Sequence, residues 1–180
     1  MSPAQHTAAI SPSRASPGRL DTRALRRTLG AFPTGVTVVT ALARSGQALG
    51  ITVNSFASVS LDPPLVLWSQ ARTSPSHDAF VQVETMVINI LSESQREVSA
   101  RFAQPHPDKF AGIACTHAPC GTPMLAGCAA TLVCRVARRY DGGDHTIHLC
   151  EVESFQGHDS APLIFCKGSY LDHPHAAGHA

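Results

Sequence analysis

Five consecutive β-branched residues, Val36-Thr37-Val38-Val39-Thr40, are stiff at χ1 and fit a pleated surface better than a helix, so this stretch is committed to a strand. A turn at Arg44-Ser45-Gly46-Gln47 follows, and Gly50-Ile51-Thr52-Val53 resumes the same texture, which predicts a hairpin. Leu65-Val66-Leu67-Trp68 and Met86 to Leu91 are apolar runs of strand length, with Pro75 to Val83 between them as a short helix. Thr131 to Arg139 and His145 to Phe155 flank an Asp141-Gly142-Gly143 turn, and Pro162 to Cys166 reads as a last short strand. Helices are few. Asp21 caps one whose Leu25, Leu29 and Phe32 recur at helical spacing, as a lid or packing element closed by Gly30 and Pro33. Ser92 with Gln95 forms a capping box for a second, running to about Phe102, and Pro105 and Pro107 prevent its continuation. His106 to Gly127, rich in Pro, Gly and Cys, is a long loop of the kind that covers a site. So many short strands exclude a doubly wound sheet, and the expected fold is mainly β, a closed antiparallel barrel.

Length and composition narrow the function. At 180 residues the chain has room for one domain, read as 20–171 between an N-terminal arm (1–19) and a tail (172–180), both expected to be disordered. A formal charge of +1, with only 15% charged residues and scattered cations, argues against nucleic acid. No run approaches the length that spans a bilayer, and Met1 to Gly18 lacks the apolar core of an export signal, so a soluble, cytoplasmic protein is expected. Reduced thiols are the matching reading of six cysteines without a CxxC pair. Cys115, His117 and Cys120 are ligand-type side chains in one loop, yet the second close pair that a structural zinc site needs is absent, and no metal is expected. His6, His173, His175 and His179 fall in the arms and read as composition.

The most unusual stretch is Gly50 to Leu65. Hydroxyl or amide side chains at Thr52, Asn54, Ser55, Ser58 and Ser60 alternate with apolar ones and end in a rigid Pro63-Pro64. A strand of this kind offers many donors without formal charge, the mixture that a flavin's phosphate, ribityl and pyrimidine oxygens require beside an apolar wall for the ring. On composition alone, an ordinary half-buried strand with a serine-rich exit loop fits as well.

Three motifs shift that balance. Phe32-Pro33-Thr34-Gly35-Val36-Thr37-Val38-Val39-Thr40, Gly50-Ile51-Thr52-Val53-Asn54-Ser55-Phe56 and Ser58-Val59-Ser60-Leu61-Asp62-Pro63-Pro64-Leu65 occur in this order. Val87 to Leu91, Phe102-Ala103, Lys109-Phe110 and Gly143-Asp144-His145 follow. From about Leu25 to Tyr170 the chain resembles the flavin reductase-like, FMN-binding split-barrel family.

The resemblance implies a flavin, FMN or FAD, cradled by Thr52, Val53, Asn54 and Ser55, with Pro33 and Thr34 near the ring. Ser58, Ser60 and Leu61 would continue along the cofactor, and Arg72 or Ser74 would meet the phosphate, Arg72 through its planar fork. It implies that His145 lies by the flavin and the nicotinamide of NADH or NADPH, as a positioning residue, because hydride transfer needs alignment rather than a protein acid or base. It further implies a homodimer with flavin near the subunit interface, and a partner monooxygenase that receives reduced flavin. A flavin carrier without reductase activity, and a flavoenzyme reducing an organic substrate directly, are the alternatives. Two departures stand out: Cys150 replaces the usual small residue before Glu151, and no basic residue follows Tyr170.

Overall fold

The computed structural model describes residues 20–106 and 108–172; the arm expected over 1–19, and all but the first residue of the expected tail, lie outside them. Asp21 opens α1 (Thr22–Leu29) by accepting hydrogen bonds from the Arg23 and Ala24 N–H groups at 2.9 and 3.1 Å. The strands are β1 (Thr34–Gly35), β2 (Thr37–Leu42), β3 (Ala48–Val53), β4 (Ala57–Leu61), β5 (Pro64–Ala71), β6 (Thr85–Ile90), β7 (Cys115–His117), β8 (Pro123–Leu125), β9 (Ala130–Gly142), β10 (His145–Gly157), β11 (Ile164–Cys166) and β12 (Ser169–Leu171). Two further helices are α2 (His77–Phe80) and α3 (Arg96–Ala103).

One seven-stranded sheet runs β3-β2-β6-β9-β10-β5-β4, and every neighbouring pair is antiparallel. Its two edge strands, β3 and β4, are consecutive in the chain and joined only by Asn54-Ser55-Phe56. Ser55 clasps this corner: its hydroxyl donates to the Ser69 carbonyl at 2.9 Å and accepts from the Ser69 N–H at 3.0 Å, on β5. The sheet thus curls back on itself while the β3–β4 ladder stays open, which makes the mainly β fold a split rather than a closed barrel. A separate three-stranded sheet, β1-β11-β12, joins the N-terminal motif to the chain's end through Thr34 opposite Phe165.

The core fills the concave side. Val39, Trp68, Phe80, Met86, Ile88, Cys134 and Cys150 are fully buried there, and a second cluster of Val38, Leu91, Phe102 and Leu163 lies near α3. Each large side chain so buried contributes roughly 2–3 kcal/mol of transfer free energy. Asn89 is the polar pin between the clusters, donating to the Val38 carbonyl at 2.9 Å and accepting from the Leu125 N–H at 2.9 Å.

Three expectations change on this scaffold. His106–Gly127 is not wholly a loop, because β7 and β8 pair within it, strands of three residues each and too short to show a period. The turn between β9 and β10 is Gly143-Asp144, one residue later than expected, with Gly143 at φ +79° as a two-residue hairpin turn requires. Leu25, Leu29 and Phe32 are not packed into the core: they are 44%, 65% and 76% exposed. The capping box holds, since Gln95 reaches back to the Ser92 N–H at 3.0 Å, although the first turn there is 3₁₀ (Glu93–Gln95) before α3 begins.

Candidate functional site

β3 has one strand neighbour, so alternate backbone groups along it point away from the sheet. The Gly50 carbonyl is one of these, because it accepts from the Lys109 ammonium at 3.1 Å; by the two-residue alternation Thr52 presents its N–H and C=O on the same open side. Lys109 also donates to the Phe102 carbonyl at 2.9 Å, and burial lowers its pKa below the ordinary lysine value. Close packing here requires glycine: a Cβ on Gly50 would come within 2.3 Å of the Phe102 ring.

Side chains along this segment divide into two groups. Thr52 donates its hydroxyl to the Ser99 carbonyl at 2.7 Å and Ser55 is bound to Ser69, so both serve the fold, and Val53 packs on the main core. Asn54 is exposed, as is Ser58 on β4, while Ser60 is half-buried and Leu61 is 93% exposed. Val59 bulges out of the β4–β5 ladder between Ser58 and Ser60, an irregularity that re-aims side chains at a sheet edge.

The Gly143-Asp144 turn brings His145 beside the loop after β5. His145 lies opposite Ala71, and the Arg72 N–H donates to the Asp144 carbonyl at 3.0 Å. Nδ1 of His145 is 2.6 Å from the Asp144 carboxylate, and since an ionised carboxylate only accepts, Nδ1 carries the proton and Nε2 is left free. That bond, with the more distant Arg26, holds the Asp144 carboxyl below the usual range. Arg72 is held by Asp141 at 2.9 Å; the Gly143 N–H and Arg72 keep that carboxyl low as well. Ser74 is 3.2 Å from Ser76, hydroxyl to hydroxyl.

Two cavities flank β3. The larger, about 770 Å³, is walled by Leu29, Phe32 and Phe165 and holds Thr34 and Asn54; Pro33 stands exposed between Phe32 and Thr34. The smaller, about 510 Å³, takes in Gly50, Ile51, Ser74, Ser76 and Lys109. Thus Thr34 and Asn54 meet at one cavity and Ser74 lies at the other. Arg26, Arg27 and Lys167 also line the larger cavity, and sequence reasoning gave them no role. Their only signal was local: a Lys-Gly pair closing a short strand, and two arginines in the last turn of a helix.

Among known proteins, the flavin reductase like domain matches residues 29–173. The chain is 46% identical over 154 residues to the FMN reductase (NADH) SmoA of Agrobacterium fabrum, covering 86% of this chain and 87% of that one. It is 43% identical over 151 residues to the stachydrine N-demethylase reductase subunit Stc3 of Rhizobium meliloti, covering 84% of this chain but 66% of the relative, so it spans just under two thirds of that longer protein. Among solved structures, the Streptomyces globisporus NADH:FAD oxidoreductase SgcE6, in complex with NAD and FAD fragments, superposes with a TM-score of 0.83 at 36% identity, over 88% of this chain and 96% of that one. With a domain match across most of its length and relatives well above a third identical, the chain belongs to the flavin reductase like family.

Proposed function

We propose that this chain is an NAD(P)H:flavin oxidoreductase that passes hydride from NADH or NADPH to FMN or FAD and supplies reduced flavin to a separate flavin-dependent monooxygenase. The observation that carries the reading is the Thr34 hydroxyl, whose oxygen is buried and has no hydrogen-bond partner among the described residues, at a cavity with apolar walls. An unpaired buried hydroxyl fits a ligand that arrives with polar edges and an apolar face.

The residues fit a flavin on that ground. When bound, the flavin supplies the two-electron chemistry by accepting hydride from the reduced nicotinamide. Thr34 and Asn54 would hold its polar edge, the outward N–H and C=O of Thr52 would run beside it, and Ser58 and Ser60 would border it from β4. Pro33 and Leu61 add apolar surface. Gly50 and Asn54 are four residues apart on β3 and its exit, about 13 Å, which lets one elongated ligand touch both cavities, with Ser74 and Arg72 toward its phosphate. His145 presents Nε2, an acceptor in the neutral ring, to an amide N–H such as that of a nicotinamide carboxamide. Its role is alignment: hydride transfer requires the donor and acceptor carbons and nitrogens in register, not a proton relay.

The exposed Leu29, Phe32, Val59 and Leu61 support a homodimer, since a second copy would cover large apolar groups that α1, the turn after it and β4 leave in solvent. Among the described residues no helix is long and apolar enough to cross a membrane, and all six cysteines are free, which favours a reducing cytoplasm. The test is oxidation of NADH and of NADPH by the purified protein in air, with and without FMN, FAD or riboflavin. Turnover that saturates with added flavin is the expected result; flavin binding without turnover would leave a carrier, and tight stoichiometric flavin that reduces an organic substrate would leave a self-contained flavoenzyme.

A further inference from the structure

The larger cavity carries a charge pattern that flavin chemistry alone does not call for. Arg26 and Arg27, in the last turn of α1, and Lys167, in the β11–β12 turn, line it together, and no carboxylate does so among the described residues. None of the three enters an ion pair among those residues, whereas Arg72, Arg96 and Arg135 do. Three cations around one opening, none in an ion pair, repel each other, and an anionic ligand relieves that repulsion.

The backbone fixes this arrangement. Lys167 and Gly168 take φ +50° and +84°, the signature of a tight two-residue hairpin turn in which Asn, Asp or Gly is preferred at the first position. A lysine there occupies a conformation its side chain disfavours. The turn is docked as well, since the Lys167 N–H donates to the Gly30 carbonyl at 2.7 Å, just past the end of α1. The opposite wall is apolar, with Leu29, Phe32 and Phe165, and Arg26 lies close enough to Asp144 to help depress its carboxyl, which places the rim toward the His145 turn.

We infer that Arg26, Arg27 and Lys167 form a rim that binds the phosphate groups of the nicotinamide nucleotide, while the apolar wall takes its ring. The inference rests on the reductase reading for the identity of the nucleotides, and it makes the rim the determinant of which phosphorylated forms the protein uses.

Binding is measured apart from turnover, by titration of the full chain with riboflavin, FMN, FAD, NAD⁺ and NADP⁺ at low and high salt. Lys167→Asn removes the charge and suits the turn, Lys167→Arg retains the charge, and Arg26→Gln with Arg27→Gln empties the helix side. Charge removal should weaken NAD⁺ and NADP⁺ about tenfold per cation and flatten their salt dependence, with riboflavin and FMN unchanged and Lys167→Arg near wild type. Weaker FMN and FAD with unchanged NAD⁺ would place the flavin phosphate at the rim and overturn the proposal. Weaker NAD⁺ and NADP⁺ with unchanged FMN assigns it to the nicotinamide nucleotide. Equal loss of riboflavin, or no loss of any ligand, overturns the proposal. Phosphate-dependent binding in a wild type that shows no flavin-dependent NAD(P)H oxidation would keep the rim and sink the reductase reading.

Discussion

The two halves of this molecule are finished to different degrees. On the side formed by β2, β6 and β9, Val38, Val39, Met86, Val87, Ile88 and Cys134 are fully buried, and the one amide among them, Asn89, is bonded on both ends. Elsewhere, on α1 and the turn after it, on β4 and at the β11–β12 turn, Leu29, Phe32 and Leu61 are 65%, 76% and 93% exposed, and among the described residues the Thr34 hydroxyl lacks a partner and three cations form no ion pair. The first side satisfies its own chemistry and carries stability. The second leaves its chemistry unsatisfied in the direction of the ligand and second subunit proposed above, so the same kind of substitution should read out differently on each.

Asn89→Leu should give the largest effect, about 4 kcal/mol in urea unfolding, because it leaves the Leu125 N–H without its acceptor and takes a donor from the Val38 carbonyl in the core. A loss below 1 kcal/mol would break the comparison at its closed side. Next is acid sensitivity. His148 is fully buried, stacked on Trp68 at 4.4 Å and 9°, with neither ring nitrogen bonded among the described residues. Burial first, then Arg139 and His77, push its pKa from 6.5 down to about 4. The folded state therefore binds its proton less readily than the unfolded chain: the stability is intact above pH 6.5 and declines as pH falls from there toward 4, by up to about 3 kcal/mol. His148→Phe, which keeps the stack, should flatten that window in denaturant unfolding followed against pH.

His145→Ala belongs to the open side and should raise KM for the nicotinamide about tenfold, or roughly 1.4 kcal/mol, while the flavin dissociation constant stays within about twofold. Equal loss of both would make the residue a structural cap on its turn. Leu61→Glu is the mildest for the fold, within about 0.5 kcal/mol in monomer stability, yet it should shift the sedimentation profile from dimer to monomer. An unchanged profile would remove β4 from the proposed interface.

What the sequence made legible follows from how local the determinants are. The Asp21 cap, the Ser92–Gln95 box and the hairpins at Ser45-Gly46 and Gly143-Asp144 are each decided within a few residues, and each is present, the last shifted by one. The pairing of Thr34 with Phe165 was not legible, because it links positions at opposite ends of the chain. For the same reason the rim of Arg26, Arg27 and Lys167 was invisible: no spacing connects α1 to the last hairpin. The site segment itself shows a different limit. Thr52 and Ser55 have the chemistry of ligand donors, but their hydroxyls are bound to Ser99 and Ser69, and a sequence does not say which partner a hydroxyl has.

The Lys109 clasp on Gly50 has a bearing on how this protein behaves when concentrated. An edge strand such as β3 is a template on which any extended segment, including one from a neighbouring copy, can register rung by rung and seed insoluble assemblies. With its ammonium on the Gly50 carbonyl, Lys109 removes a rung near the middle of that template, and its charge must be stripped of the clasp before a foreign strand can lie flat. The edge is thus left open near Thr52 for the length of a short ligand and closed to the longer register that a foreign strand needs.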